Sequence, residues 1–449
     1  MDFSKMLIKY AEVDKNIKTG DFEYWRYTVG HGGINSKPLP QRVVAGIKNL
    51  KPRYLRTFIQ EYFNIYKGDG DYDFSLLDPY IFSLAATGAK IVASICIKPS
   101  ILFPEINQEI YMPNDKAAWQ RLIFALVKRY SVDNEIVSHW EIGNESDIGE
   151  NGGCPYLIKT PEEYFEYYKL TAESILSAFP KARVGGPGAA WMSFDFMKKF
   201  SNLCFKENIQ LDFVSWHTYT DNYEAFGEQI RKNREAMEVY GDKKPEILLT
   251  EINSNFENPV VEESAFRGER AVKFARLLFT AIDNKLDYTF YYHIWDQTFY
   301  EKEFSLFYSN PYIMQQHWNE IPHRFGMFGV NTEVRPQYFL HKMLGMAGES
   351  FYSVIYEQPF LIKAIGNEKT TSLLVINPEE DMILRICIKN MPEGEAVLEN
   401  YRIDDAKHYD SEILELIPTE KRIIYLKKDF YCHIYCPENS VSLFRINLC

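Results

Sequence analysis

The sequence predicts a (β/α)8 barrel followed by a β-sandwich domain, and three observations lead there. Short β-rich runs alternate with longer helical patterns from residue 23 to about residue 347, the signature of repeated βα units around a parallel sheet. The runs number eight, which is the number that closes such a barrel. Beyond residue 347 the helical patterns stop, and short strands follow one another with turn residues between them. A chain of 449 residues exceeds the roughly 250 of a typical barrel. Two domains are therefore expected, a barrel over 1–346 and a sandwich over 347–449, with residues 1–22 left open as a further strand of the sandwich.

The eight barrel runs are Glu23–Val29, Tyr54–Ile59, Lys90–Ile97, Val137–Ile142, Arg183–Gly186, Phe213–His217, Ile247–Thr250 and Tyr288–Trp295. Start signals mark the helices between them. Thr160-Pro161-Glu162-Glu163 supplies an N-cap, a proline at the first helical position and a glutamate placed for a capping box. Trp119, Leu122, Ile123, Leu126 and Tyr130 form one apolar stripe, and Pro336 opens a helix after the eighth run. The sandwich strands are Phe360–Ala364, Ser372–Ile376, Leu384–Ile388, Leu398–Arg402, Arg422–Leu426, Tyr431–Tyr435 and Val441–Ile446.

Composition narrows the function. A net charge of −12 with no Lys/Arg run argues against nucleic acid and against an anionic membrane surface as partners. The N-terminus lacks the basic and apolar regions of a signal peptide, and no segment reaches the length of a transmembrane helix. Seven scattered cysteines do not form a disulfide framework. A cytoplasmic location is expected, with secretion behind a removed leader left open. The 31 Tyr and 31 Phe supply flat faces on which a sugar can stack, although most such rings belong to the core.

In a barrel of this kind the active site forms where the βα loops gather, at the C-terminal ends of the strands. Polar residues that terminate apolar strands are therefore the candidates. Strand four ends His139-Trp140-Glu141-Ile142-Gly143-Asn144-Glu145, and strand seven ends Thr250-Glu251-Ile252-Asn253. Glutamates on opposite strands can face each other across a ligand, and two carboxyl groups about 5–5.5 Å apart perform retaining glycoside hydrolysis. Asn144 is placed to bond the sugar 2-hydroxyl. His139, earlier on strand four, reads as structural. No His-Glu-x-x-His or paired-Cys spacing marks a metal site, and Gly185-Gly186-Pro187-Gly188 lacks the features of a nucleotide loop. No metal or cofactor is expected.

These motifs resemble clan A of the glycoside hydrolases, and within it family 39, the β-xylosidase and α-L-iduronidase family. The resemblance makes Glu145 of Asn144-Glu145 the general acid/base and Glu251 the nucleophile. Tyr54-Leu55-Arg56 looks like the strand-two segment whose arginine holds the nucleophile ionised, and Trp216-His217-Thr218-Tyr219 like the strand-six segment beside the catalytic pair. Trp295 matches the aromatic floor at the end of strand eight. His217 would bind substrate or support Glu145. Gly143 and Ser146 depart from the aromatic residue and proline that commonly flank Asn-Glu in the family. Lys98, in Ile97-Lys98-Pro99, stands where an apolar residue is usual; it would greet an anionic sugar or sit solvated at the surface, the latter being favoured. The aromatic segment from Gln297 to Val330 suits sugar stacking, with Trp318 and Tyr308 as its candidates.

The resemblance thus implies an exo-acting or short-chain retaining glycosidase, β-xylosidase-like, with a carbohydrate as substrate. Three rivals stand beside it: a barrel that binds carbohydrate without catalysis, a transglycosidase, and an arabinosidase or uronidase of the same clan. A homo-oligomer is left open.

Overall fold

The computed structural model describes residues 6–68, 70–255, 265, 267–320, 324–406 and 412–449. Two compact units divide the chain, Arg26–Val260 with Thr280–Gly326, and Met1–Trp25 with Val261–Phe279 and Met327–Cys449. Residues 1–5, at the start of the expected barrel domain, and 321–323, within the aromatic segment, lie outside the described residues.

The first unit is built on a closed barrel of eight parallel strands: Tyr27–His31, Tyr54–Gln60, Lys90–Cys96, Val137–Ile142, Arg183–Ala189, Phe213–Tyr219, Glu246–Asn253 and Tyr288–Tyr292. All eight predicted strands are present. Only Val137–Ile142 keeps both predicted ends, and the first and eighth strands show why the others shift. Tyr24–Arg26 form a 3-10 turn ahead of the first strand, where Arg26 Nη1 donates to the Asp287 carbonyl at 3.2 Å, and pairing begins only at Tyr27. The eighth strand stops at Tyr292. Helices separate the strands as the sequence pattern requires. Pro161–Ala178 carries the full capping box, with Glu163 N donating to Thr160 Oγ1 at 3.2 Å and Thr160 N to Glu163 Oε2 at 3.1 Å. Trp119, Leu122, Ile123 and Leu126 are all buried on Lys116–Val127.

Side chains alternate across a strand, and alternate strands fill a layer of the barrel interior. Tyr54, His139, Phe213 and Tyr288, from strands two, four, six and eight, make the lowest layer. Tyr54 meets His139 edge-on at 4.9 Å and Tyr288 at 5.4 Å, and His139 lies 5.9 Å from Phe213. Burial pushes His139 down to about 3, so this imidazole is neutral packing material. Two residues further along the same strands come Arg56 and Glu141, where the mouth begins.

The second unit carries a nine-stranded sheet in the order Glu420–Leu426, Gly394–Ile403, Ser440–Leu448, Thr370–Asn377, Leu361–Gly366, Ser350–Tyr356, Leu7–Asp21, Met382–Lys389 and Phe430–Cys436. The seven strands predicted after residue 360 are all there. Ser350–Tyr356 was not anticipated, and Leu7–Asp21 pairs antiparallel to it and parallel to Met382–Lys389. Ala396 and Leu426 from one end of that order pack into the same apolar cluster as Ile434 from the other, so the inner face closes on itself as a sandwich does. The helix opened by Pro336, Pro336–Ala347, belongs to this unit. No described helix is long and apolar enough to cross a membrane.

Candidate active site

The second barrel strand reads like a ladder from floor to mouth, Tyr54, Arg56, Phe58 and Gln60, each two residues from the next and on one face. Arg56 is fully buried. Its planar fork reaches three partners: Nε donates to Glu141 Oε2 at 2.8 Å, Nη1 to Glu251 Oε1 at 2.6 Å and Nη2 to Asn144 Oδ1 at 2.6 Å. Only a guanidinium presents donors in this fixed geometry. Burial works against its charge, but Glu141 and Glu251 outweigh burial and hold it protonated. Glu141 comes from near the end of strand four and Glu251 from near the end of strand seven, so the arginine joins opposite walls.

Glu145 and Glu251 meet around His217. Glu145 Oε1 lies 2.7 Å from His217 Nδ1, and Glu251 Oε2 lies 3.6 Å from the same nitrogen. One oxygen of each carboxylate and the imidazole nitrogen all fall within 4.8 Å of one another, which among the described residues is the one such cluster with the spacing to hold a metal ion. Tyr219, two residues after His217 and on the same face of strand six, donates its hydroxyl to Glu251 Oε2 at 2.5 Å. Glu251 thus accepts from a cation on one oxygen and a phenol on the other. Among the described residues no such cation lies within bonding reach of Glu145. Burial and the charge of Glu251 push its carboxyl well above the usual range. Burial pushes Glu251 up as well, against the pull of Arg56 and Tyr219. The two carboxyls are therefore set apart by their surroundings, one a proton holder and one a supported anion. Burial and then Arg56 drive His217 well below the ordinary imidazole value, so it stays neutral and trades a hydrogen bond with Glu145 in either protonation state.

The backbone that delivers Glu145 is unusual. Gly143 has φ +91° and Glu145 φ +46°, a left-handed conformation that costs a non-glycine residue about 1 kcal/mol. The Glu145 N–H donates to the Gly188 carbonyl at 2.7 Å, which holds the turn. Gly152 lies against the resulting side chain, and a Cβ there would meet the Glu145 carboxylate and come within 2.6 Å of its Cβ.

Above these residues opens a cavity of about 470 Å³. Phe58, Tyr292, Phe325 and Trp318 form its apolar side, and Asn144, Glu145, His217 and Glu251 its polar base. Glu150 anchors the capping segment by accepting from Ser309 N at 2.7 Å, Ser309 Oγ at 2.7 Å and Asn310 N at 3.1 Å.

The sequence model of glycosyl hydrolases family 39 matches residues 8–355, most of the chain. The chain belongs to glycosyl hydrolases family 39. A β-xylosidase of Geobacillus stearothermophilus is 25% identical over 236 residues, covering 47% of this chain and 46% of that protein, so the chain spans about half the length of this relative. A monomeric β-xylosidase from Caulobacter crescentus CB15 shares the fold with a TM-score of 0.75 at 16% identity, over 98% of this chain and 99% of that one. A glucosidase from Croceicoccus marinus does so with a TM-score of 0.74 at 16% identity, over 99% of each chain.

Within this family 39 barrel, six sequence-predicted residues come together at the mouth: Glu145, Glu251, Asn144, Arg56, His217 and Tyr219. Two do not. Lys98 is neither solvated nor turned to the cavity. It is 3% exposed, and its Nζ donates to the carbonyls of Asn107 at 2.7 Å and Pro155 at 2.9 Å beside the rings of Phe103 and Tyr156. It staples two loops, and burial lowers its pKa to about 8. Trp295 is displaced because strand eight ends three residues earlier. Its ring stacks 6.3 Å from His31, and Tyr292 takes the place at the cavity wall. Trp318 lines the cavity, whereas Tyr308 is buried among Phe304 and Phe307. Glu141, Tyr292 and Trp191 were not singled out. Period-two alternation with His139 points to Glu141 in the sequence itself.

Proposed function

We propose that the protein is a retaining glycosidase that releases a β-linked xylosyl unit, with Glu251 as nucleophile and Glu145 as acid/base. The observation that carries this reading is the spacing of the two carboxylates, whose facing oxygens lie within 4.8 Å. Inverting enzymes need about 6.5–9.5 Å to seat a water between the pair, and retaining ones about 5–5.5 Å. Glu251 attacks the anomeric carbon while Glu145 gives its proton to the departing oxygen. An ester to Glu251 forms and its negative charge is lost, so the repulsion that raises Glu145 falls away. Glu145 then takes a proton from water, the water oxygen bonds to the anomeric carbon, and Glu251 leaves as carboxylate. Arg56 and Tyr219 support that anion before the attack and again as it leaves.

The cavity wall supports a neutral sugar. No lysine or arginine lines it among the described residues, so a uronate carboxylate would enter without a permanently charged partner. The β-xylosidase relative supports the choice of xylose.

Aryl β-xyloside should be hydrolysed to β-xylose as first product, followed by NMR before mutarotation. Glu145→Ala should lose turnover of poor leaving groups and, with azide present, regain turnover of activated ones to give the β-azide. An α-configured product would overturn the mechanism, and a preference for uronides over xylosides would overturn the substrate.

A further inference from the structure

Strands four and seven divide the ring of eight into two arcs. On the longer arc, Tyr292 of strand eight and Phe58 of strand two line the cavity with Trp318, whose ring meets Tyr292 edge-on at 6.1 Å, and this apolar side fits the sugar that is attacked. On the shorter arc, Trp191, Thr220 and Gln229, all beyond the ends of strands five and six, line the same cavity. Trp191 is 59% exposed, the most exposed tryptophan of the described residues. An indole in that position contributes little to the fold, since most of its surface remains in water. It is nevertheless held in place. Asp147, two residues beyond Glu145, accepts from Ala190 N at 3.0 Å and from the Trp191 backbone. The segment bearing the ring is thus tied to the turn bearing Glu145, whose proton goes to the leaving group.

From this arrangement we infer that Trp191 is the platform on which the leaving group's sugar ring stacks, so that preference for a glycosyl leaving group resides in the loop after strand five. The flat indole covers the C–H face of a pyranose, and Thr220 and Gln229 meet its hydroxyls. The inference rests on the glycosidase reading above.

The test compares β-1,4-xylobiose with β-xylosyl fluoride, whose single-atom leaving group cannot reach the ring. In Trp191→Ala the ratio of kcat/KM for xylobiose to that for the fluoride should fall about tenfold. Trp191→Phe should recover most of that ratio, which a merely structural loss would not allow. An unchanged ratio, whether both activities fall together or neither does, would overturn the inference. A wild-type protein that cleaves the fluoride but not xylobiose would also overturn it while leaving the glycosidase reading intact. Cleavage of neither would sink the reading beneath it.

Discussion

The floor and the mouth of the barrel are built by the same strands, a few residues apart, and they meet the cost of burial in opposite ways. At the floor, Tyr54, His139, Phe213 and Tyr288 bury rings against rings, and the only titratable imidazole there is neutral. At the mouth, Arg56, Glu141 and Glu251 bury full charges, and each survives because another lies within 3 Å. Buried ion pairs of this kind contribute little net stability, because desolvation offsets their attraction. The difference teaches that inward alternation fixes where side chains go, while residue type decides whether a layer serves stability or chemistry.

Three substitutions probe that division. The largest effect is expected from Glu251→Ala, which should lower kcat on aryl β-xyloside by at least about 10⁴-fold while its melting temperature holds or rises. Near-normal turnover would break the division at the mouth. Next is Phe213→Ala, fully buried at the floor, which should cost about 3–5 kcal/mol in urea unfolding and leave kcat of the folded fraction unchanged. A comparable loss of kcat would show that the layers are not separable. The smallest effect concerns pH. On the proposed mechanism Glu145 holds its proton to act as acid, so kcat/KM falls as pH rises through its raised pKa. Asp147 is among the charges that raise it. Asp147→Asn should therefore move the alkaline limb to lower pH by about half a unit; a limb that stays or moves upward would separate the two groups.

Much of this was readable along the chain. The barrel announces itself because each βα unit is a local pattern, and Glu145 and Glu251 stand out as charges that end apolar runs. Arg56, His217 and Tyr219 follow from the family resemblance of Tyr54-Leu55-Arg56 and of the strand-six segment ending His217-Thr218-Tyr219. What escaped was decided by distant contacts. Lys98 looks solvated until Asn107 and Pro155 close over it, the second of these 57 residues away. Trp295 was misplaced because the end of strand eight depends on where pairing with strand one stops. Ser350–Tyr356 has no clean alternation of apolar and polar residues, and none of its side chains is fully buried, Ile355 being exposed, so its pattern is faint.

Gly152 has a consequence for how this sequence can change. With no space between its Cα hydrogens and the Glu145 side chain, position 152 tolerates no other residue, while Asn151 beside it is exposed. A library randomised at residues 151 and 152 should return active clones that vary at the first position and converge on one invariant letter at the second, set not by the loop's own conformation but by the carboxyl it leans against.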